Sequence, residues 1–286
     1  MLHSQRHPPA PELFPADIHS PPLDQSAHSS RSASPTRFRP SELQALNAHL
    51  ETLSPIDVLD WAVDHLPNLY QTTKFDVNDC AITDMFSNLS DRRCSNQPLV
   101  VLIFIDTLYH LPRTLELAHL IPEYYNINLY TFYPPGVTHV IEFEALLGTK
   151  LWETDQPTYD FLTKVEPARR ANEELGVKAI VTGRLQSRVG DYLPVIEIDE
   201  SGLVKVNPLA TWNWEQTWDY VKANNVPCYS LSEVGDHSIG DWHSTTTIPL
   251  LDERLLSDRW RKSNSKPNWG IQLQGYRKLK SSFEKL

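Results

Sequence analysis

The sequence predicts an α/β protein, a mainly parallel twisted sheet flanked by helices, and three observations point to it. Residues 99–105 (LVVLIFI) form a continuous apolar run, as expected of a strand covered on both faces. Extended and helical patterns alternate after Pro67, the rhythm of strand–helix–strand crossovers. No run of about 18 apolar residues occurs, so the apolar content belongs to a core and not to a bilayer.

Taken in order, residues 41–53 are amphipathic, and Ser41 followed by Gln44 resembles an N-terminal helix cap. Ser54-Pro55 repeats the signal, with proline at the first helical position ahead of residues 56–66. Residues 69–75 are expected as a strand, 79–89 as a helix, 112–120 as a helix, 128–132 as extended chain and 137–146 as a helix. Residues 177–181 read as another buried strand. Asp199-Glu200-Ser201-Gly202 separates two short apolar runs, 194–198 and 203–206, and so reads as a hairpin. A helix over 214–223 follows. Trp212, Trp214 and Trp218 stand at helical spacing and are expected in the core.

The 286 residues, 40% of them hydrophobic, suffice for one sizeable core. Residues 1–40 hold eight Pro, seven Ser and four His with little aliphatic content, so disorder is expected there. They carry four Arg against three acids, a net +1, which leaves −11 of the total −10 on the remainder. An acidic body lacks the basic face that phosphate backbones require, so no nucleic-acid partner is expected. The N-terminus has no apolar h-region, and no secretory signal is read there; the Ser-rich, acid-poor start also lacks the amphipathic Arg helix of a transit peptide. Cys80, Cys94 and Cys228 are far apart and form no C-x-x-C pair, which argues against a disulfide framework, a zinc site or an iron–sulfur cluster. A reducing, cytoplasmic setting is expected, with no membrane partner.

Ligands of open α/β sheets gather beyond the carboxyl ends of strands. Three segments fall at such ends. Thr73 and Phe75-Asp76-Val77-Asn78-Asp79 close the first strand, and Asp106-Thr107-Leu108-Tyr109-His110 follows the most apolar one. Thr182-Gly183-Arg184-Leu185-Gln186-Ser187-Arg188 follows the strand at 177–181. Converging on one edge, they offer hydroxyls, backbone N–H groups, His110, Arg184 and Arg188, an inventory suited to an adenine nucleotide with a phosphate or sulfate tail. Ser238-Ile239-Gly240-Asp241-Trp242-His243-Ser244-Thr245 is the densest polar cluster, and no amphipathic pattern explains it. For Arg184 and Ser187 the plain alternatives are a surface ion pair and a helix cap. For Asp106, Thr107 and His110 the alternative is capping of a strand end; for Asp241 and His243 it is a structural turn. Trp242 and Trp269 are the tryptophans best placed to stack on a base, with packing as the alternative.

The phrases LYQTTKF, FIDTLYHLP, KVEPARRA, VNPLATWNWEQ, NNVP and SIGDWHST, with Thr182-Gly183-Arg184 and Ser187 between them, resemble fungal-type phosphoadenylyl-sulfate (PAPS) reductases in order and spacing. The resemblance covers roughly 200 residues. It implies a domain over 41–271 between a tail at 1–40 and a C-terminal tail at 272–286, with a fold similar to the adenine-nucleotide α-hydrolase-like ATP-pyrophosphatase group. It implies a nucleotide partner such as PAPS or adenosine 3′,5′-bisphosphate held by Thr73, Phe75, Asp106, Thr107, His110, Thr182, Gly183, Arg184, Ser187, Arg188, Asp241 and His243, and no resident cofactor. In the family's chemistry a tail cysteine thiolate attacks the sulfonyl sulfur, the bisphosphate leaves, and thioredoxin frees sulfite. The family's tail reads Glu-Cys-Gly-Ile-His; here Asn268-Trp269-Gly270-Ile271-Gln272 stands in its place. Trp269 occupies the nucleophile position, and indole has no electron pair suited to displacement at sulfur. The family's loop also reads Phe-Gly where this chain has Phe75-Asp76. Asp76 with Asp79 is expected to repel a polyanion by about 1–4 kcal/mol. Two alternatives stay open: a reductase using Cys228 or a partner's thiol with thioredoxin, and a non-catalytic nucleotide binder acting as a homodimer or beside an intact relative.

Overall fold

The computed structural model describes residues 39–186, 192–228 and 241–243. Helices α1 (Pro40–Leu50) and α2 (Pro55–His65) lead into strand β1 (Leu69–Thr73) and helix α3 (Val77–Arg92). Strand β2 (Val101–Ile105), helix α4 (Pro112–Tyr125) and strand β3 (Leu129–Phe132) complete one half of the sheet. Three short helices follow, α5 (Val140–Leu147), α6 (Leu151–Thr154) and α7 (Gln156–Asp160), then a π-helical turn at Phe161–Val165 that runs into α8 (Glu166–Glu174). Strand β4 (Ala179–Val181), the pair β5 (Ile196–Ile198) and β6 (Val204–Val206), and helix α9 (Trp214–Asn224) finish the described fold.

The six strands lie in the order β3-β2-β1-β4-β6-β5. All neighbours are parallel except β5 and β6, the expected hairpin. Strand β2 shows why its sequence is apolar throughout. Leu102 and Phe104 join the main core with Ile82 and Phe86 of α3, whereas Ile103 packs on the other face with Ala171 of α8 and Ile180 of β4. Successive side chains of a strand point to opposite faces, so both faces must be covered.

Several boundaries depart from the sequence reading. Ser41 is not a cap. Arg39 is, because Pro40 fixes the first helical φ and the Glu42 carboxylate accepts the Arg39 backbone N–H at 2.8 Å. Ser54 does cap α2, accepting the Asp57 N–H. Strand β1 stops at Thr73 because Phe75 turns into the left-handed region, φ +59°. Helix α4 runs past Leu120 and through Pro122 to Tyr125, since Ile121 is fully buried and Tyr125 packs against the core. Trp218 is buried, with Trp212 and Trp214 packed beside the same cluster, as their spacing predicts.

Strand β5 is one of the two edges of the sheet, and α1 covers it through one side chain. Asn47, 6% exposed, accepts the Ile196 N–H at 2.7 Å and donates to the Ile196 carbonyl at 3.0 Å, satisfying a strand residue as another strand would. Asn47→Ala strands two buried backbone groups, each at a cost of about 1–3 kcal/mol. Urea unfolding is expected to show that loss with an unchanged slope; a midpoint equal to the native one would refute it.

Candidate functional site

Strands β2, β1 and β4 are adjacent and parallel, so their carboxyl ends open on the same edge of the sheet. At the end of β1, the Thr73 hydroxyl accepts the Phe75 N–H at 2.9 Å and holds the left-handed turn. The Phe75 ring is buried and meets Phe104 edge-on at 5.3 Å. Phe104 in turn packs on His110 at 4.8 Å, so the loops after β1 and β2 share one aromatic column.

Asp76 opens α3 as its N-cap, accepting the Asp79 N–H at 2.9 Å. Its second oxygen pairs with the Lys74 ammonium at 3.1 Å. The isolated repulsive charge expected at position 76 is therefore a capped and paired one. Asp79 accepts the Lys74 backbone N–H at 2.8 Å and is 4% exposed. Burial, and next the charge of Asp76, push its carboxyl up to about 8.

After β4, Thr182 donates to Asn207 at 2.7 Å, and Asn207 donates to Glu197 at 2.6 Å. Gly183 rests directly on α3: a Cβ there would lie 2.3 Å from Asp79 Oδ1 and 3.2 Å from the Asp79 backbone nitrogen. Only glycine permits that approach. The Arg184 guanidinium pairs with Glu197 at 2.5 Å, the surface-ion-pair alternative. Ser187 and Arg188 lie outside the described residues.

After β2, Asp106 accepts the Leu108 N–H at 2.8 Å, and Leu108 adopts φ +71°. Burial raises the Asp106 carboxyl. His110 Nε2 lies 3.0 Å from the Ile105 carbonyl, so that nitrogen donates and the buried Nδ1 is left without a partner among the described residues. Thr107 donates to Asp241, and His110 and Asp241 form an antiparallel bridge that seats residues 241–243 on this loop.

Asp241 is 2% exposed and the hub of a buried network. It accepts Tyr159 at 2.8 Å and pairs with Lys164 at 3.2 Å. Burial pushes its carboxyl up, but Lys164 and the Thr107 and Tyr159 hydroxyls outweigh that and hold it below the ordinary range. His243 stacks on Trp152 at 4.1 Å and meets the Tyr159 hydroxyl at 3.0 Å; burial depresses its pKa. Trp242 is half exposed, its ring edge-on to Trp152 at 5.6 Å.

Of the sequence candidates, Thr73, Phe75, Asp106, Thr107, His110, Thr182, Gly183, Asp241 and His243 stand in these linked strand-end loops. Trp152, Tyr159 and Asn207 were missed, as was the pairing of Lys74. The Asp160–Lys164 spacing of four residues, with an ion pair of 2.9 Å, is a signal of helix through this stretch and not of the π-helical turn itself. A cavity of 530 Å³ lies elsewhere, between α2, α3 and α9, lined by Met85, Arg92, Trp212 and Tyr220.

The three thiols are placed otherwise. Cys80 is buried in α3, its sulfur 3.7 Å from the Phe75 carbonyl, with its pKa pushed well up by burial. Cys94 is exposed in the turn between α3 and β2, at the opposite edge of the sheet. Cys228 follows α9, half-buried against the main core, and burial raises its pKa also.

The raised Asp79 pKa fixes a pH dependence. Between the ordinary value of 3.8 and about 8 the folded chain holds a proton that the unfolded chain has released, so stability falls as pH rises through that window. Asp79→Asn keeps an acceptor for Lys74 and removes the titration. The variant is expected to gain on the native chain by up to about 1.4 kcal/mol per pH unit there, read by urea unfolding at pH 5, 6.5 and 8. Parallel pH profiles would refute it.

Residues 68–247 match the family model described as the phosphoadenosine phosphosulfate reductase domain. The phosphoadenosine phosphosulfate reductase of Emericella nidulans is 44% identical over 237 residues, 82% of this chain and 76% of that protein. The Saccharomyces cerevisiae enzyme of the same name is 40% identical over 230 residues, 78% of this chain and 85% of that protein. The crystal structure of phosphoadenylyl-sulfate (PAPS) reductase from Candida auris, a phosphate complex, superposes with a TM-score of 0.68 at 43% identity, over 74% of this chain and 100% of that one. Candida glabrata FMN adenylyltransferase, 16% identical at a TM-score of 0.52 over 77% of this chain and 70% of its own, shares the fold alone. The family model spans more than half of the chain and these identities run over most of it, and the chain belongs to the phosphoadenosine phosphosulfate reductase family.

Proposed function

We propose that the chain holds an adenine nucleotide across the ends of β2, β1 and β4 and does not carry out the thiol attack of a PAPS reductase. The observation that carries the reading is a separation of parts. The strand-end loops are assembled and mutually braced, while the thiols at Cys80, Cys94 and Cys228 lack the setting of a nucleophile and Trp269 stands at the nucleophile position of the tail.

The missing step is specific. A thiolate would supply an electron pair to the sulfonyl sulfur, form a sulfur–sulfur bond and break the bond to the phosphate oxygen, and adenosine 3′,5′-bisphosphate would depart. A second thiol would then free sulfite. Electrostatic activation of a thiol requires a lowered pKa. Burial raises those of Cys80 and Cys228, and Cys94 is at the wrong edge of the sheet. Indole at Trp269 keeps its nitrogen pair within the aromatic system. The alternative of a Cys228-dependent reductase therefore has less support than a nucleotide-binding role without thiol reduction.

Two outcomes are expected. In thermal unfolding, adenosine compounds raise the transition temperature and their guanosine counterparts do not; a ligand at 100 times its Kd contributes about 2.7 kcal/mol. A chain indifferent to every adenine compound would remove the proposal. Incubated with PAPS and reduced thioredoxin, the protein releases no sulfite above the protein-free control, and Cys228→Ser changes nothing. Sulfite release abolished by Cys228→Ser would establish the alternative.

A further inference from the structure

The start of a long helix favours an anion, because its first N–H groups are unpaired and its dipole is positive there. Helix α3 spans 16 residues and begins at the strand-end cleft. That seat is already filled from within the chain. One Asp76 oxygen takes the Asp79 N–H at 2.9 Å, and the other takes the Lys74 ammonium at 3.1 Å. The Asp76 side chain is 16% exposed and that of Lys74 52%, so the carboxylate is shielded while the ammonium reaches water. A phosphate arriving here would have to displace a covalently attached carboxylate and detach Lys74 from it.

What is left unpaired at these loops accepts hydrogen bonds. Asn78 Oδ1, in the first turn of α3, is buried without a partner among the described residues. His110 Nδ1, on the neighbouring loop, is buried and likewise unpartnered, and in the neutral ring it accepts, because Nε2 donates to Ile105. Buried acceptors without donors select a ligand that supplies them.

Resting on the nucleotide reading above, we infer that the group this cleft seats at the start of α3 is a hydrogen-bond donor, an amine or hydroxyl, and not a phosphate or sulfonate. Asp76 is then the specificity-determining residue: it caps the helix, holds Lys74 and turns an anion seat into a seat for neutral or cationic groups. The favoured ligands are adenosine and its derivatives without phosphate at this position.

The test is calorimetric titration of the full chain with adenosine, AMP and adenosine 3′,5′-bisphosphate at fixed pH and salt, repeated with Asp76→Asn. Asparagine caps helices as well as aspartate, so the variant keeps its fold while losing the charge and freeing Lys74. Adenosine is expected to bind the native chain at least about tenfold more tightly than the bisphosphate, and Asp76→Asn to reverse that order. Tighter binding of the bisphosphate to the native chain, or an order that Asp76→Asn leaves untouched, would overturn the inference alone. Silence from all three compounds would overturn it together with the nucleotide reading beneath it.

Discussion

The close approach of Gly183 to the first turn of α3 is the constraint on which the candidate site depends. With no Cβ at 183, the chain leaving β4 passes within contact of Asn78 and Asp79 and ties the β4 loop to the β1 loop. The β1 loop is tied to the β2 loop by the column Phe75–Phe104–His110. Three strand ends thereby become one surface. The arrangement includes a left-handed turn at Phe75, held by the Thr73 hydroxyl, and a carboxyl at Asp79 that burial pushes up to about 8. Strained or costly features of this kind persist where surrounding structure over-determines them.

Charge is handled differently at the two sides of this surface. Beside β1, Asp76 and Lys74 neutralise one another at the mouth of a helix. Beyond β2, Asp241 is fully enclosed and kept ionised by Lys164 and two hydroxyls, so it fastens residues 241–243 to the Thr107 loop. Breaking such a buried pair from one side leaves the other charge uncompensated. The π-helical turn at Phe161–Val165 sits where Lys164 must reach both Asp160 and Asp241. Turns of that type recur at functional sites.

The sheet was legible wherever one physical signal dominated. The run at 99–105 announced a doubly covered strand, Ser54-Pro55 announced α2, and Asp199–Gly202 announced the hairpin. The strand-end loops were legible too, because a parallel sheet places all such loops on one edge. Ser41 misled because Pro40 and Glu42 set the helix start together, and no single residue reveals that. Residues 151–165 escaped because α6, α7 and the π-helical turn have four or five residues each, too few to show a period. The Asp241 network joins elements remote in sequence, and Asp76 read alone looked repulsive; a partner such as Lys74 is a fact of three dimensions. Ser187, Arg188 and the tail around Trp269 lie outside the described residues.

On the proposed reading, one surface, the joined ends of β2, β1 and β4, is where this family member meets its nucleotide. The most direct measurement is amide-resolved NMR of the isotope-labelled chain titrated with adenosine. Shifts are expected to concentrate at residues 74–79, 106–110 and 182–184 and to saturate together. Shifts gathered instead around Met85, Arg92, Trp212 and Tyr220, at the cavity between α2, α3 and α9, would contradict it.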